Sequence, residues 1–177
     1  MADQDLTSKR SRAGALFHRA AASLPAPLEA GAGAVAWSLL MGATGYLAVC
    51  RLAWQTDAKL AEVGILFAAG GLVAFPIALF AARLVAGGRR AEIRYAGAFL
   101  ALALATVAAT ALAYALHYRL YYAHWHAPAF SITWTFQLVF TTAAAVYQFL
   151  VTGLRLFFPV GFVILLAASL WLARRTR

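Results

Sequence analysis

The sequence predicts an all-α membrane protein: a polytopic bundle of four transmembrane helices with one further helix at the outer face. Composition is the first indication, because 64% of the 177 residues are hydrophobic and only 12% are charged, whereas about a quarter of the residues are charged in a soluble domain. The second indication is that the charges cluster between long uncharged runs. Lipid offers the backbone no hydrogen-bonding partner, so a run that crosses the bilayer is expected to be helical.

Four runs approach the length of about 20 residues that a bilayer requires. They comprise residues 31–50, 63–82, 95–116 and 156–173. The stretch 132–154 is also uncharged, and for it we predict an extra helix on the outer side that is interfacial, re-entrant or strongly tilted. This stretch is long enough to cross, so five transmembrane helices are the alternative.

The basic residues predict the orientation. Four crossings put eleven of the 15 Lys and Arg residues on one side and four on the other, whereas five crossings give nine against six. The side with the excess is expected to be cytoplasmic, so both termini are predicted to lie in the cytoplasm. Thirteen arginines against two lysines, with abundant alanine, are typical of a bacterial sequence, and we expect a multi-pass protein of the bacterial inner (cytoplasmic) membrane.

The N-terminal segment differs in composition from the rest of the chain. Residues 1–28 are predicted to form a basic cytoplasmic segment, and residues 29–177 the transmembrane domain. Apolar residues recur at helical spacing between Arg12 and Leu24, which predicts a basic surface helix on the inner leaflet. A positive tail that only fixes the orientation is the alternative.

The third predicted span carries a ladder of small residues that repeats every four positions. Such a face lets a neighbouring helix approach closely, so we predict a contact there with another membrane subunit or a second copy of the chain. A second ladder of Thr106, Thr110 and Tyr114 lies beside it. The small-residue ladder consists of Gly97, Ala101, Ala105, Ala109 and Ala113.

The extra helix carries a stripe of polar side chains. Five residues fall within about 60° of one another on a helical wheel. In a crossing helix they would bond neighbouring helices, and in an interfacial helix they would face water or headgroups; a substrate track is the third interpretation. The stripe consists of Gln137, Thr141, Gln148, Thr152 and Arg155.

The segment between the third span and the extra helix is rich in aromatic residues and histidines. Its tyrosines and tryptophans, including Trp125 and Trp134, are typical of the aromatic belt at a membrane surface. A lip that binds a partner or a lipid is one alternative. The other is a transition-metal site formed by His117, His124 and His126, since imidazole suits zinc, copper and iron; apart from this metal, no cofactor is expected.

The absence of certain groups narrows the function. No Asp or Glu lies within the four predicted spans, which argues against an ion-coupled carrier, and no catalytic constellation is recognisable. Cys50 is the only cysteine. We therefore expect a non-catalytic protein, not an enzyme: a subunit, assembly factor or scaffold of a larger membrane complex. Its partners would be the lipid bilayer and other membrane subunits or itself, but no nucleic acid.

Two alternatives remain for the function. A small transporter or channel could use the polar stripe of residues 137–155. A metal-dependent membrane enzyme could use the histidines at the outer face.

Overall fold

The structure, a computed structural model, describes residues 20–52 and 57–175, together with Gly14. A short 3₁₀ turn follows the third of its long helices, and a π-helical segment and a second 3₁₀ segment follow the fourth. The elements are α1 (Pro27–Leu52), α2 (Asp57–Ala86), α3 (Ala91–Tyr122), the 3₁₀ turn Ala123–Trp125, α4 (Ile132–Gln148), the π-segment Phe149–Gly153, the 3₁₀ segment Leu154–Phe157 and α5 (Val160–Arg175).

Four helical stretches of the described chain are long and apolar enough to cross a bilayer. The predicted all-α bundle with four potential transmembrane helices is therefore confirmed. The stretches differ from the predicted set in one respect: the fourth is the predicted extra helix, while α5, in the run that we expected to cross, has only 16 residues. The stretches are Pro27–Leu52, Lys59–Ala86, Ala91–Trp125 and Ile132–Phe157.

The helices α1, α2 and α3 form an antiparallel core, with α2 packed against both neighbours. At one end of this core, Arg83 at the end of α2 forms an ion pair with Glu29 in the first turn of α1. At the other end, Glu62 in α2 accepts a hydrogen bond from Lys59 at 2.8 Å. We refer to these as the Glu29 end and the Glu62 end.

Glycines allow α1, α2 and α3 to approach one another closely. A Cβ added to Gly70 of α2 would lie 2.7 Å from the Cα of Thr110 in α3, and one added to Gly45 of α1 would lie 2.7 Å from the ring of Phe67. The indole of Trp37 donates a buried hydrogen bond of 3.0 Å to the Thr106 hydroxyl. This bond satisfies two polar groups that would otherwise be costly in an apolar interior.

Helix α4 is strongly inclined to α3. Ser131 caps its N-terminus by accepting a hydrogen bond from the amide of Trp134 at 3.1 Å. Trp134 lies under the Arg119 guanidinium, 5.1 Å from the ring centroid, and Phe149, just beyond the helix, lies 6.2 Å from Tyr114. Residues 134 and 149 are about 22 Å apart along a helix, whereas their contacts on α3, at residues 119 and 114, are only about 7.5 Å apart. Both ends of α4 therefore contact the Glu62 end of the bundle.

The chain returns to the Glu29 end through α5. Phe157, in the 3₁₀ segment, packs 4.7 Å from the ring of Phe67, after which the Phe158–Pro159 peptide is cis. At the C-terminus of α5, Arg175 lies 4.0 Å from Glu29. The segment from residue 157 to 175 therefore connects the two ends, as α1, α2 and α3 do.

The first three helices are longer than the uncharged runs that predicted them. They extend into turns that carry Glu29, Lys59 and Arg119, because a helix does not need to end where the hydrocarbon does. The predicted surface helix between Arg12 and Leu24 lies mostly outside the described residues.

We expect the Gly70→Ala substitution to destabilise the fold. The added methyl group would be forced against Thr110, and overpacking of this kind costs about 1 to 3 kcal/mol. The control is Gly31→Ala, whose Cβ would meet nothing within 4 Å. Both changes gain about 1 kcal/mol of helix propensity, so a thermal unfolding midpoint in detergent should be lower for Gly70→Ala; equal midpoints would contradict the close contact.

Candidate functional site

A cavity of about 420 Å³ lies at the Glu62 end of the bundle. Helices α1, α2 and α3 provide three of its sides, and the π- and 3₁₀ segments after α4 provide the fourth. Its volume is within the range of about 300 to 1,000 Å³ that is typical of ligand pockets. The lining includes Lys59, Glu62, Val63, Leu66, Phe67, Thr110, Tyr114, His117, Tyr118, Tyr121, Tyr122, Phe149, Thr152, Gly153, Arg155 and Leu156.

The interior of the cavity is apolar and aromatic. Phe67 of α2 and Phe149 of the π-segment lie 6.3 Å apart, in a tilted arrangement, and both side chains are almost completely buried. Thr110 reaches the cavity but is packed against Gly70 on its other side. Its hydroxyl donates to the backbone carbonyl of Thr106 at 2.8 Å, so this polar group is satisfied within its own helix.

The mouth of the cavity is charged. Both carboxylate oxygens of Glu62 have partners: Lys59 Nζ lies 2.8 Å from Oε2 and His117 Nε2 lies 2.5 Å from Oε1. The His117 contact joins α2 to α3. Thr152 and Arg155 line the cavity from the segment after α4, and Lys59 and Arg155 are both exposed, which indicates that the cavity opens where they lie.

Four tyrosines of α3 continue the aromatic wall towards the mouth. Tyr114 and Tyr118 are stacked with centroids 6.5 Å apart, and Tyr118 and Tyr122 lie 4.6 Å apart. Tyr121 packs edge-on against Tyr122 at 5.0 Å. A tyrosine combines an apolar ring with a hydroxyl that can donate or accept a hydrogen bond, so this wall suits the boundary between an apolar and a polar part of a ligand.

The predicted small-residue ladder lies beside the buried face of α3. Ala101, Ala105 and Ala109 are half-buried and pack against the hydrophobic core of the same chain, and a Cβ added to Gly97 would meet Val85 of α2 at 2.8 Å. Ala113 is also half-buried. Four buried residues of α3 each follow a ladder residue by one position in the sequence: Ala98, Leu102, Thr106 and Thr110.

The predicted polar stripe is divided between two environments. Gln137 accepts a hydrogen bond of 2.9 Å from the Ala127 amide and thus fixes the loop before α4. Gln148 is exposed, and its carbonyl accepts from Thr152 at 2.7 Å. Of the five residues, only Thr152 and Arg155 line the cavity, from the π-segment and the 3₁₀ segment that follow α4.

The three predicted metal ligands are placed differently. His117 contacts Glu62, the His124 ring lies 3.5 Å from the centroid of Trp125, and His126 Nδ1 is buried without a hydrogen-bonding partner. Among the residues that the structure describes, no group of three His, Cys, Asp or Glu side chains is arranged to hold a metal ion. Trp125 is 61% exposed, and Trp134 is half-buried under Arg119.

The residues of α2 in the cavity are not among those that the sequence singled out. Lys59 and Glu62 lie before the predicted span 63–82, and Val63 is its first residue. The three-residue spacing of Lys59 and Glu62, which places opposite charges on one helix face, was a signal that could have identified the start of a helix there. Nothing in the sequence alone brings Glu62 to His117.

The chain matches no protein-family model, no curated protein and no solved structure. The geometry of the cavity therefore provides the basis for a functional assignment.

We expect that replacing both His124 and His126 by glutamine leaves the transition-metal content of the purified protein unchanged. The reason is that the structure directs His117 to Glu62 and His124 to Trp125, so the three imidazoles do not converge. Elemental analysis of the wild type, the double variant and His117→Gln would check this. A metal present in near-stoichiometric amount in the wild type and lost in the double variant would restore the metal-site hypothesis.

Proposed function

We propose that the protein is a non-catalytic, multi-pass protein of the bacterial cytoplasmic membrane that binds a membrane amphiphile in the cavity at the Glu62 end. The observation that carries this proposal is the division of the cavity into an apolar interior and a charged mouth. An amphiphile has the same division, and a cavity between membrane helices is accessible to molecules that are already dissolved in the bilayer.

The lining favours an amphiphile over a water-soluble ligand. Val63, Leu66, Phe67, Phe149 and Leu156 offer no hydrogen bond to a polar molecule, and burying an unpaired polar group costs about 1 to 3 kcal/mol in proteins. An alkyl chain, by contrast, has no polar group to leave unpaired, and it exchanges the lipid tails around it for side chains of similar polarity. Apart from Thr110, whose hydroxyl is bonded within its own helix, the polar side chains of the lining lie at the mouth and in the tyrosine wall.

The channel or transporter alternative receives less support. Below the cavity, Thr110 is in contact with Gly70, and Leu79 and Leu102 are at most 2% exposed. In the described part of the chain, the interior towards the Glu29 end is thus filled by side chains. A transported molecule would have to separate α2 from α3 where they are packed most closely.

The expected role as a subunit, assembly factor or scaffold stays a prediction. The face of α3 on which it depended is half-buried against the chain's own core, so this face supplies no argument for a partner. An amphiphile-binding protein can still belong to a complex.

The proposed orientation places both termini in the cytoplasm and the cavity at the outer face. It is supported by the excess of basic residues near the Glu29 end and by the return of α5 to that end. A reporter that is active only in the cytoplasm should be active when fused after Arg177 and inactive when fused after Ala127. The opposite pattern would reverse the orientation, and inactivity at both positions would favour five crossings.

We expect Leu66→Trp to reduce the amount of lipid that co-purifies with the protein several-fold, because the larger ring would occupy the cavity. The matched control is Ile65→Trp on the same helix, where the side chain is 67% exposed and outside the cavity lining. Native mass spectrometry of both variants in mild detergent provides the measurement. If both variants, each eluting as a single species, retain wild-type lipid, the cavity is not the binding site.

A further inference from the structure

We infer that the cavity selects an amphiphile with an anionic headgroup, namely an anionic membrane phospholipid whose phosphate lies between Lys59 and Arg155. This inference rests on the proposed function, because it assigns the polar part of the ligand whose apolar part fills the cavity. It is carried by the positions of the charges at the mouth and by the hydrogen bonds that Glu62 already makes.

The charged residues that line the cavity give it a positive balance. Lys59 and Arg155 contribute two positive charges and Glu62 one negative charge, so the sum over these three side chains is +1. The two cations come from separate elements, α2 and the 3₁₀ segment after α4. Both side chains line the cavity and are exposed. Lys and Arg each have several N–H donors, so each can donate a charge-assisted hydrogen bond to a phosphate at the mouth in addition to the contacts that it already makes.

The alternative, a cationic headgroup, would need Glu62. Its Oε2 is held by Lys59 at 2.8 Å and its Oε1 by His117 at 2.5 Å. An incoming ammonium group would have to share these oxygens with Lys59 and would lie beside the positive charge of Lys59, which repels it. An anionic group does not compete for the Glu62 oxygens, and the carboxylate instead orients Lys59 and His117 at the mouth.

The tyrosine wall is consistent with the same ligand. Tyr114, Tyr118, Tyr121 and Tyr122 all line the cavity, and a phenolic hydroxyl can donate a hydrogen bond to a phosphate or ester oxygen. Their rings extend the apolar surface of Phe67 and Phe149 towards the mouth. The glycerol ester region of a phospholipid, which lies between its phosphate and its alkyl chains, would be placed against these residues.

The experiment compares two phospholipids that share the same acyl chains, phosphatidylglycerol and phosphatidylcholine. Native mass spectrometry of the full chain in mild detergent would follow the titration of each. Both lipids carry the phosphate, but phosphatidylcholine adds a quaternary ammonium group that would lie beside Lys59 and Arg155. We therefore expect the wild type to prefer the anionic lipid about tenfold, which corresponds to about 1.4 kcal/mol. Arg155→Gln and Lys59→Gln should each reduce this preference, and the double variant should abolish it while both lipids still bind.

The control variant is Arg51→Gln. Arg51 is an exposed arginine in the last turn of α1, at the same end of the bundle but outside the cavity lining. Arg51→Gln removes the same charge as Arg155→Gln. If Arg51→Gln leaves the lipid preference unchanged, the effect of Arg155→Gln comes from a local contact and not from the overall positive charge of the protein. If Arg51→Gln and Arg155→Gln lower the preference equally, a site at Arg155 is refuted.

Other outcomes overturn either the inference or the proposal beneath it. Equal affinity of the wild type for both lipids, together with loss of binding in Leu66→Trp, would reject the anionic headgroup and retain the amphiphile cavity. Unchanged binding in Leu66→Trp would reject the cavity itself. If inorganic phosphate displaces the lipid at concentrations comparable with the lipid's own, the site recognises a free anion and the phospholipid assignment is wrong.

Discussion

The close approach of α2 to its two neighbours is the constraint on which the rest of the structure depends. Helices in a bilayer gain little from hydrophobic burial against one another, since lipid tails are as apolar as leucine, so van der Waals contact and interhelical hydrogen bonds must hold them together. Gly70 provides such a contact against Thr110, and Gly71 provides one against Met41 and the backbone of α1. Gly70 and Gly71 face about 100° apart on α2, so α1 and α3 lie on neighbouring faces of α2, where the indole of Trp37 reaches the Thr106 hydroxyl.

The cavity begins where these close contacts end. Beyond Thr110, α3 presents Tyr114 and Tyr118 to the interior, and α2 presents Phe67 and Val63. Side chains of this size hold the helix axes apart, whereas glycine at position 70 lets them meet. In the part of the chain that the structure describes, the bundle is therefore closely packed towards the Glu29 end and hollow towards the Glu62 end, an asymmetry that favours the proposed binding cavity over a channel.

Hydropathy predicted the number and class of the helices, because the cost of placing a charge in lipid determines where charged residues occur. It could not predict which helix would cross last, since 132–154 and 156–173 are both uncharged. The two ladders on α3 lie about 100° apart, and which one is buried is decided by Gly70 and Trp37 on other helices. For the same reason, the pairing of Glu62 with His117 is a property of the folded bundle and not of either segment.

The segment after α4 shows how an irregular helix completes the site. Gly153 lies in the π-segment, and a Cβ at this position would come within 2.5 Å of the Phe149 ring. Glycine thus allows Phe149 to turn inwards, where it closes the apolar wall opposite Phe67. Thr152 and Arg155 line the cavity from the same stretch of chain. Phe149 and Arg155 lie only six positions apart, so one short irregular segment supplies both an apolar wall and a basic residue to the cavity, in agreement with the frequent occurrence of π-turns at functional sites.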